Sequence, residues 1–211
     1  MTSILFERVI LGTSMTDQAG FAHVFEEAFG GEPYNEKYEP GQVVQEIWTP
    51  HLDHGCIVLA RDEYKIVGFG CAVPLDKAPE EIQQFLDECT RDGLLPADFI
   101  PSKTWYMSEM GVLNDYRSRG TSYDLVRHRL ISASHAGATH FVMRTSSDKP
   151  SNSRPLYEKL GAKKLAEQDV SDTAQVTENL SASKVRVYLY GRIDEAMRAI
   201  FDRKGPIAEP E

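Results

Sequence analysis

Apolar residues recur along this chain in two rhythms, and the rhythm changes mark its elements. Ile4 to Leu11 is apolar and β-branched enough for a first strand, interrupted by Glu7 and Arg8 and stopped by Gly12. Phe21, Val24, Phe25, Ala28 and Phe29 then follow the spacing of one helical face, behind a cap at Thr16 or Asp17 and ahead of Gly30-Gly31. The spacing predicts a second helix over Gln42 to Trp48, ending before Pro50. Cys56–Ala60 and Lys65–Val73 read as two strands joined by the polar turn Arg61-Asp62-Glu63, a hairpin signal closed by Pro74. Pro79 to Thr90 is amphipathic, with Ile82, Phe85, Leu86 and Cys89 on one side.

The second half alternates strand and helix. Trp105 to Val112 reads as a strand, and Leu125, Val126, Leu130 and Ile131 form a helical stripe ending near Gly137. Thr139 to Thr145 is a further strand, and Asn152 or Ser153 caps a short helix bearing Leu156, Tyr157 and Leu160, with Gly161 at its end. Residues 168–183 are polar and loop-like, Val185–Tyr190 alternates as a last strand, and Ala196–Phe201 reads as a helical turn. The order predicts an α/β protein: a central mixed sheet with helices on both faces, containing one parallel β–α–β unit. Residues 1–204 are expected to form one domain with a helical insertion at about 76–103, and 205–211 a frayed tail.

Composition narrows the classes. With 41% hydrophobic and 26% charged residues the chain of 211 can bury a full core. A formal net charge of −9 argues against a general binder of nucleic acid or anionic membrane. Three cysteines (Cys56, Cys71, Cys89) are an odd number without close spacing, so neither a disulfide framework nor a CxxC metal site is expected. No run of about 18 apolar residues occurs, and the expected location is cytoplasmic.

The chemistry gathers where the strand Trp105–Val112 meets its helix. After Val112 the chain crosses a polar turn and enters the helix through Arg117, Ser118, Arg119, Gly120, Thr121 and Ser122. A helix start offers unpaired N–H groups and partial positive charge, glycine admits close approach, and arginine adds fixed charge. That combination grips an anion, most often a phosphate or pyrophosphate, at the carboxyl end of a strand, where open α/β sheets hold their ligands.

The stretch Val112-Leu113-Asn114-Asp115-Tyr116-Arg117-Ser118-Arg119-Gly120-Thr121-Ser122 resembles the cofactor motif of the GNAT acyl-CoA N-acyltransferases, roughly Val-x-Pro-x-x-Arg/Gln-x-x-Gly-x-Gly/Ala. A second landmark of that family, a Tyr-x-x-Leu-Gly-Phe-like helix end, stands as Tyr157-Glu158-Lys159-Leu160-Gly161-Ala162. Asn114, Ser122 and Ala162 depart from the pattern, replacing Pro, Gly/Ala and Phe, and Asn152 stands five rather than seven residues before the tyrosine. The resemblance spans about residues 4–192.

It implies a GNAT fold and an N-acetyltransferase using acetyl-CoA. Pyrophosphate would lie on the amides from Arg117 to Ser122, and the pantetheine arm along Met110, Gly111 and Val112, with Asn152 also on the cofactor side. Glu109 is then the candidate base and Tyr157 the candidate acid for the departing thiolate. No nucleophile-elbow motif is present, in keeping with direct transfer.

The resemblance places the acceptor between the Gly30–Pro40 loop, the loop around 168–184 and the insertion. Tyr34, Glu36 and Tyr38 suit a cationic amine through charge and aromatic faces. A small-molecule primary amine is expected; a protein or peptide N-terminus, or an acyl-CoA-binding member without catalysis, are the alternatives. Neither nucleic acid nor membrane is expected as a partner, and the chain is expected to be a monomer or homodimer. His51 and His54 form an H-x-x-H without a third ligand of clear spacing, so no metal is expected. The G-x-G-x-x-G fingerprint of dinucleotide oxidoreductases is absent.

Overall fold

The computed structural model describes residues 4–10, 15–31, 37–146, 153–170 and 185–204. Its centre is a mixed eight-stranded sheet in the order β1-β2-β3-β4-β6-β8-β7, with β5 pairing β3 beyond β4. The strands are β1 (Leu5–Arg8), β2 (Cys56–Asp62), β3 (Lys65–Pro74), β4 (Thr104–Tyr106), β5 (Met110–Val112), β6 (His140–Ser146), β7 (Lys163–Asp169) and β8 (Val185–Arg192). All pairings are antiparallel except β4 with β6. The helices are α1 (Met15–Phe29), α2 (Pro40–Val43), α3 (Thr49–His54), α4 (Glu80–Arg91), α5 (Thr121–His135), α6 (Arg154–Glu158) and α7 (Ile193–Lys204).

Both faces of the sheet are covered. On one, Phe21 and Phe25 of α1 pack with Phe69 of β3 and Trp48, while Ile82 and Leu86 of α4 pack with Val73, Tyr106, Val142 and Tyr188. On the other, Val126 and Leu130 of α5, Tyr157 of α6 and Ile200 of α7 close over Trp105, Met107 and Phe141. Gly68 and Gly70 present no side chain to α5, and a Cβ at Gly70 would stand 2.9 Å from Arg129 Nε.

Three elements differ from the sequence expectation. The second helix does not stop before Pro50: Val44–Trp48 is a π-helical turn that carries the helix directly into α3, with Pro50 at its start. The terminal helical turn extends to a twelve-residue helix, α7, whose Ile193, Ala196 and Ile200 bury against α5. Trp105–Val112 is two strands rather than one. Val73 faces Tyr106 and Gly70 faces Met110, so Met107, Ser108 and Glu109 occupy the length that Cys71 and Ala72 occupy opposite. That extra residue is a β-bulge, and it turns β5 off the line of β4.

Candidate active site at the strand break

The bulge opens the sheet. β4 runs beside β6 through Tyr106↔Val142, and Met107 N–H makes the last hydrogen bond, at 2.8 Å, to the Val142 carbonyl. Beyond it β5 follows β3, while among the described residues Met143–Ser146 of β6 pair with β8 alone. The edges of β5 and β6 therefore diverge as a wedge, with main-chain groups of Met110, Gly111 and Val112 on one wall.

At the wide end lies the turn into α5. Ser118 and Gly120 hold positive φ values of 60° and 85°, a conformation that costs a non-glycine residue about 1 kcal/mol. Among the described residues Ser118 and Arg119 donate no backbone hydrogen bond there, and Thr121 and Ser122 stand in the first helical turn, whose amides lack intrahelical acceptors. Arg117 Nε donates to the Val112 carbonyl at 3.0 Å, tying the turn to the end of β5. Arg119 lies over the Tyr116 ring, 5.2 Å from its centre, and lines a cleft of about 340 Å³ with Asp62 and Asp124. A wedge of main-chain groups leading to a nest of amides beside Arg117 fits an extended arm ending in a diphosphate.

Beneath the wedge is a side chain that motif reading missed. Arg129 of α5 is 0% exposed. Its guanidinium donates to the Cys71 carbonyl at 3.0 Å, to Met110 Sδ at 3.2 Å and to Tyr157 Oη at 2.8 Å. Among the described residues no carboxylate lies within ion-pair distance of it. Tyr157, 1% exposed, thus sits directly below β5. Burial pushes its phenol above the ordinary range, and the Arg129 charge works in the opposite direction.

Glu109 is half-buried, and its carbonyl accepts Cys71 N–H at 2.8 Å. Burial raises its carboxyl above the usual value against the opposing fields of Arg144, Arg129 and Arg186. Its neighbour Ser108 bonds His51, Oγ to Nε2 at 2.6 Å, and His51 Nδ1 meets the Ile47 carbonyl at 2.6 Å. The H-x-x-H reading pairs His51 with His54, whereas the fold turns His51 to the bulge; only the register of the π-helical turn reveals that. Tyr38 is half-buried with its ring edge-on to Phe25 at 5.3 Å. Tyr34, Glu36 and Asn152 lie outside the described residues. Among the described residues no group of His, Cys, Asp or Glu is arranged to hold a metal ion, and no helix is long and apolar enough to cross a membrane.

This arrangement is that of an acyl-CoA N-acyltransferase fold, and the comparisons agree. The sequence model of the acetyltransferase (GNAT) family matches residues 21–162, and the chain belongs to that family. No curated protein matches it. Among solved structures it is similar to an agmatine N-acetyltransferase (15% identity, 90% of this chain and 100% of the other, TM-score 0.62). It is also similar to the ribosomal-protein-S18-alanine N-acetyltransferase of Escherichia coli (11% identity, 90% and 94%, TM-score 0.58). A third likeness is a GNAT family acetyltransferase from Elizabethkingia anophelis with acetyl-CoA bound (14% identity, 90% and 97%, TM-score 0.54). Identities this low establish the shared fold alone.

Proposed function

We propose that this protein transfers an acetyl group from acetyl-CoA to a primary amine of a small molecule. The observation that carries the reading is the wedge between β5 and β6 opening onto the amide turn at Ser118–Ser122. The cofactor supplies an acyl group activated as a thioester; everything else is work for this chain's residues.

Arg117 and the amides from Ser118 to Ser122 hold the diphosphate, and the main chain of Met110, Gly111 and Val112 holds the arm. A backbone N–H of β5 stabilises negative charge developing on the acyl oxygen. Glu109 draws in a cationic amine and accepts its proton. Its raised pKa suits this role, because a base is most effective when its pKa approaches the working pH. Tyr157 donates the proton that the departing sulfur needs. Arg129 occupies an acceptor site on the phenol oxygen, so the Tyr157 hydrogen is left to point at another partner, and the adjacent cation favours its release.

Acetyl-CoA titration by calorimetry, followed by thiol release across a panel of polyamines, amino acid derivatives and short peptides, tests the reading. Binding with turnover on small amines supports it. Binding without thiol release for any amine identifies a non-catalytic family member, and turnover on peptides alone moves the acceptor to a protein terminus.

A further inference from the structure

Ser108 and His51 form a hydrogen-bonded chain that the roles above do not use. His51 is 8% exposed, on α3, packed against β3. A backbone carbonyl can only accept, so the 2.6 Å contact with Ile47 O places a proton on Nδ1. Nε2 is then bare in the neutral ring, and the Ser108 hydroxyl donates to it at 2.6 Å. Nucleophilic or proton-transferring pairs share this constellation: a hydroxyl on a histidine nitrogen, the ring oriented through its other nitrogen by a third group. The hydroxyl belongs to the bulge residue beside Glu109, and it reaches His51 of α3. Burial and the Arg129 charge both disfavour the imidazolium, and the Ile47 contact favours it, with a net lowering of the His51 pKa. The charged group whose field reaches His51 is Arg129 from α5, and Arg129 and Glu109 both bear on the neighbouring buried thiol Cys71 of β3.

We propose that Ser108 and His51 are a second proton acceptor of the acyl transfer, an inference that rests on the function proposed above. A primary ammonium must lose two protons to become a secondary amide, and one carboxylate accounts for one of them. Glu109 takes the first, leaving a neutral amine. As the C–N bond forms and the C–S bond breaks, the nitrogen gives its second proton to Ser108 Oγ, which passes its own to His51 Nε2. The sulfur takes a proton from Tyr157; of the two protons then held by Glu109 and His51, one returns through solvent to Tyr157 and the other is released, one per turnover. The imidazolium, disfavoured by burial and by Arg129, sheds its proton readily, and the pair is reset.

Two measurements test this. In the free protein, nitrogen NMR of the histidine rings should show His51 with a proton on Nδ1, a bare Nε2 at neutral pH and a pKa below the ordinary histidine value; Ser108→Ala should shift Nε2. In kinetics, Ser108→Ala should lower kcat on the best amine by about 10²-fold without changing acetyl-CoA affinity, and Ser108→Thr should restore most of it. Glu109→Gln should keep an acidic limb in its pH profile that the added Ser108→Ala change displaces. A Ser108→Ala enzyme with wild-type kcat and pH profile overturns the proposal while leaving acyl transfer intact. A proton on Nε2, or an acetyl ester on Ser108, overturns it as well. Loss of acetyl-CoA binding by the wild-type protein overturns both this proposal and the function it rests on.

Discussion

The phenol oxygen of Tyr157 accepts a 2.8 Å hydrogen bond from the Arg129 guanidinium, and the same guanidinium nitrogen contacts Met110 Sδ. One buried cation therefore joins α6 to β5 at the point where β5 leaves β6. Arginine without a carboxylate is an expensive group to bury. Its hydrogen bonds to Cys71 and Tyr157 offset part of that cost, and its placement beneath the site accounts for its presence there.

Tyr157→Phe removes the hydroxyl and keeps the packing against Phe141, 5.7 Å between ring centres. Turnover should fall about ten-fold or more, with acetyl-CoA affinity close to wild type. Steady-state kinetics with calorimetry separates the two quantities; unchanged turnover removes Tyr157 from the mechanism.

Gly70→Ala acts on the same contact from below. Its Cβ would stand 2.9 Å from Arg129 Nε, so the arginine side chain must shift. The expected stability loss is about 1–3 kcal/mol, read by denaturant unfolding, with a drop in kcat approaching that of Tyr157→Phe. A stability loss with full turnover would show that the Arg129 position does not matter to catalysis.

Glu109→Gln should lower turnover and alter the pH dependence of stability. The folded-state pKa of Glu109 is raised, so the folded protein holds this proton more tightly than the unfolded chain. The associated stability is complete below the unfolded carboxylate value and is lost as pH rises through the folded one. Thermal melts from about pH 4 to about pH 8 should show the variant gaining on wild type as pH rises. A constant gap would mean that the carboxylate titrates normally.

Arg117→Ala removes both a charge beside the amide turn and the bond that ties the turn to Val112. Acetyl-CoA should bind more weakly, and the effect should shrink at high salt as screening takes over. Unaltered affinity in calorimetry would displace the diphosphate from this turn.

Much of the fold was legible in the sequence because its elements carry strong periodicity. The Cys56–Val73 hairpin, the amphipathic helix after Pro79 and the strand–turn–helix around Gly120 all form, and Gly161 takes the left-handed conformation expected past a helix end. The bulge was not legible. Trp105–Val112 reads as an unbroken strand, and only the pairing of Val73 with Tyr106 and Gly70 with Met110 reveals the extra residue. Arg129 was hidden for a related reason: on a helix face an arginine looks solvent-exposed, and the space that buries it comes from Gly70, 59 positions away in sequence, as Arg129 minus Gly70. His51 lay in a reading that ended its helix before Pro50, whereas the π-helical turn carries the helix onward and brings the ring to Ser108.

The central claim is that the wedge between β5 and β6 receives acetyl-CoA and presents its acyl group to an amine. Thiol release with acetyl-CoA and a panel of amines, run on wild type beside Arg117→Ala and Tyr157→Phe, tests it most directly. The account predicts amine-dependent release that is weakened through acetyl-CoA binding in the first variant and through turnover in the second. Release that is absent with every amine, or indifferent to both substitutions, would contradict it.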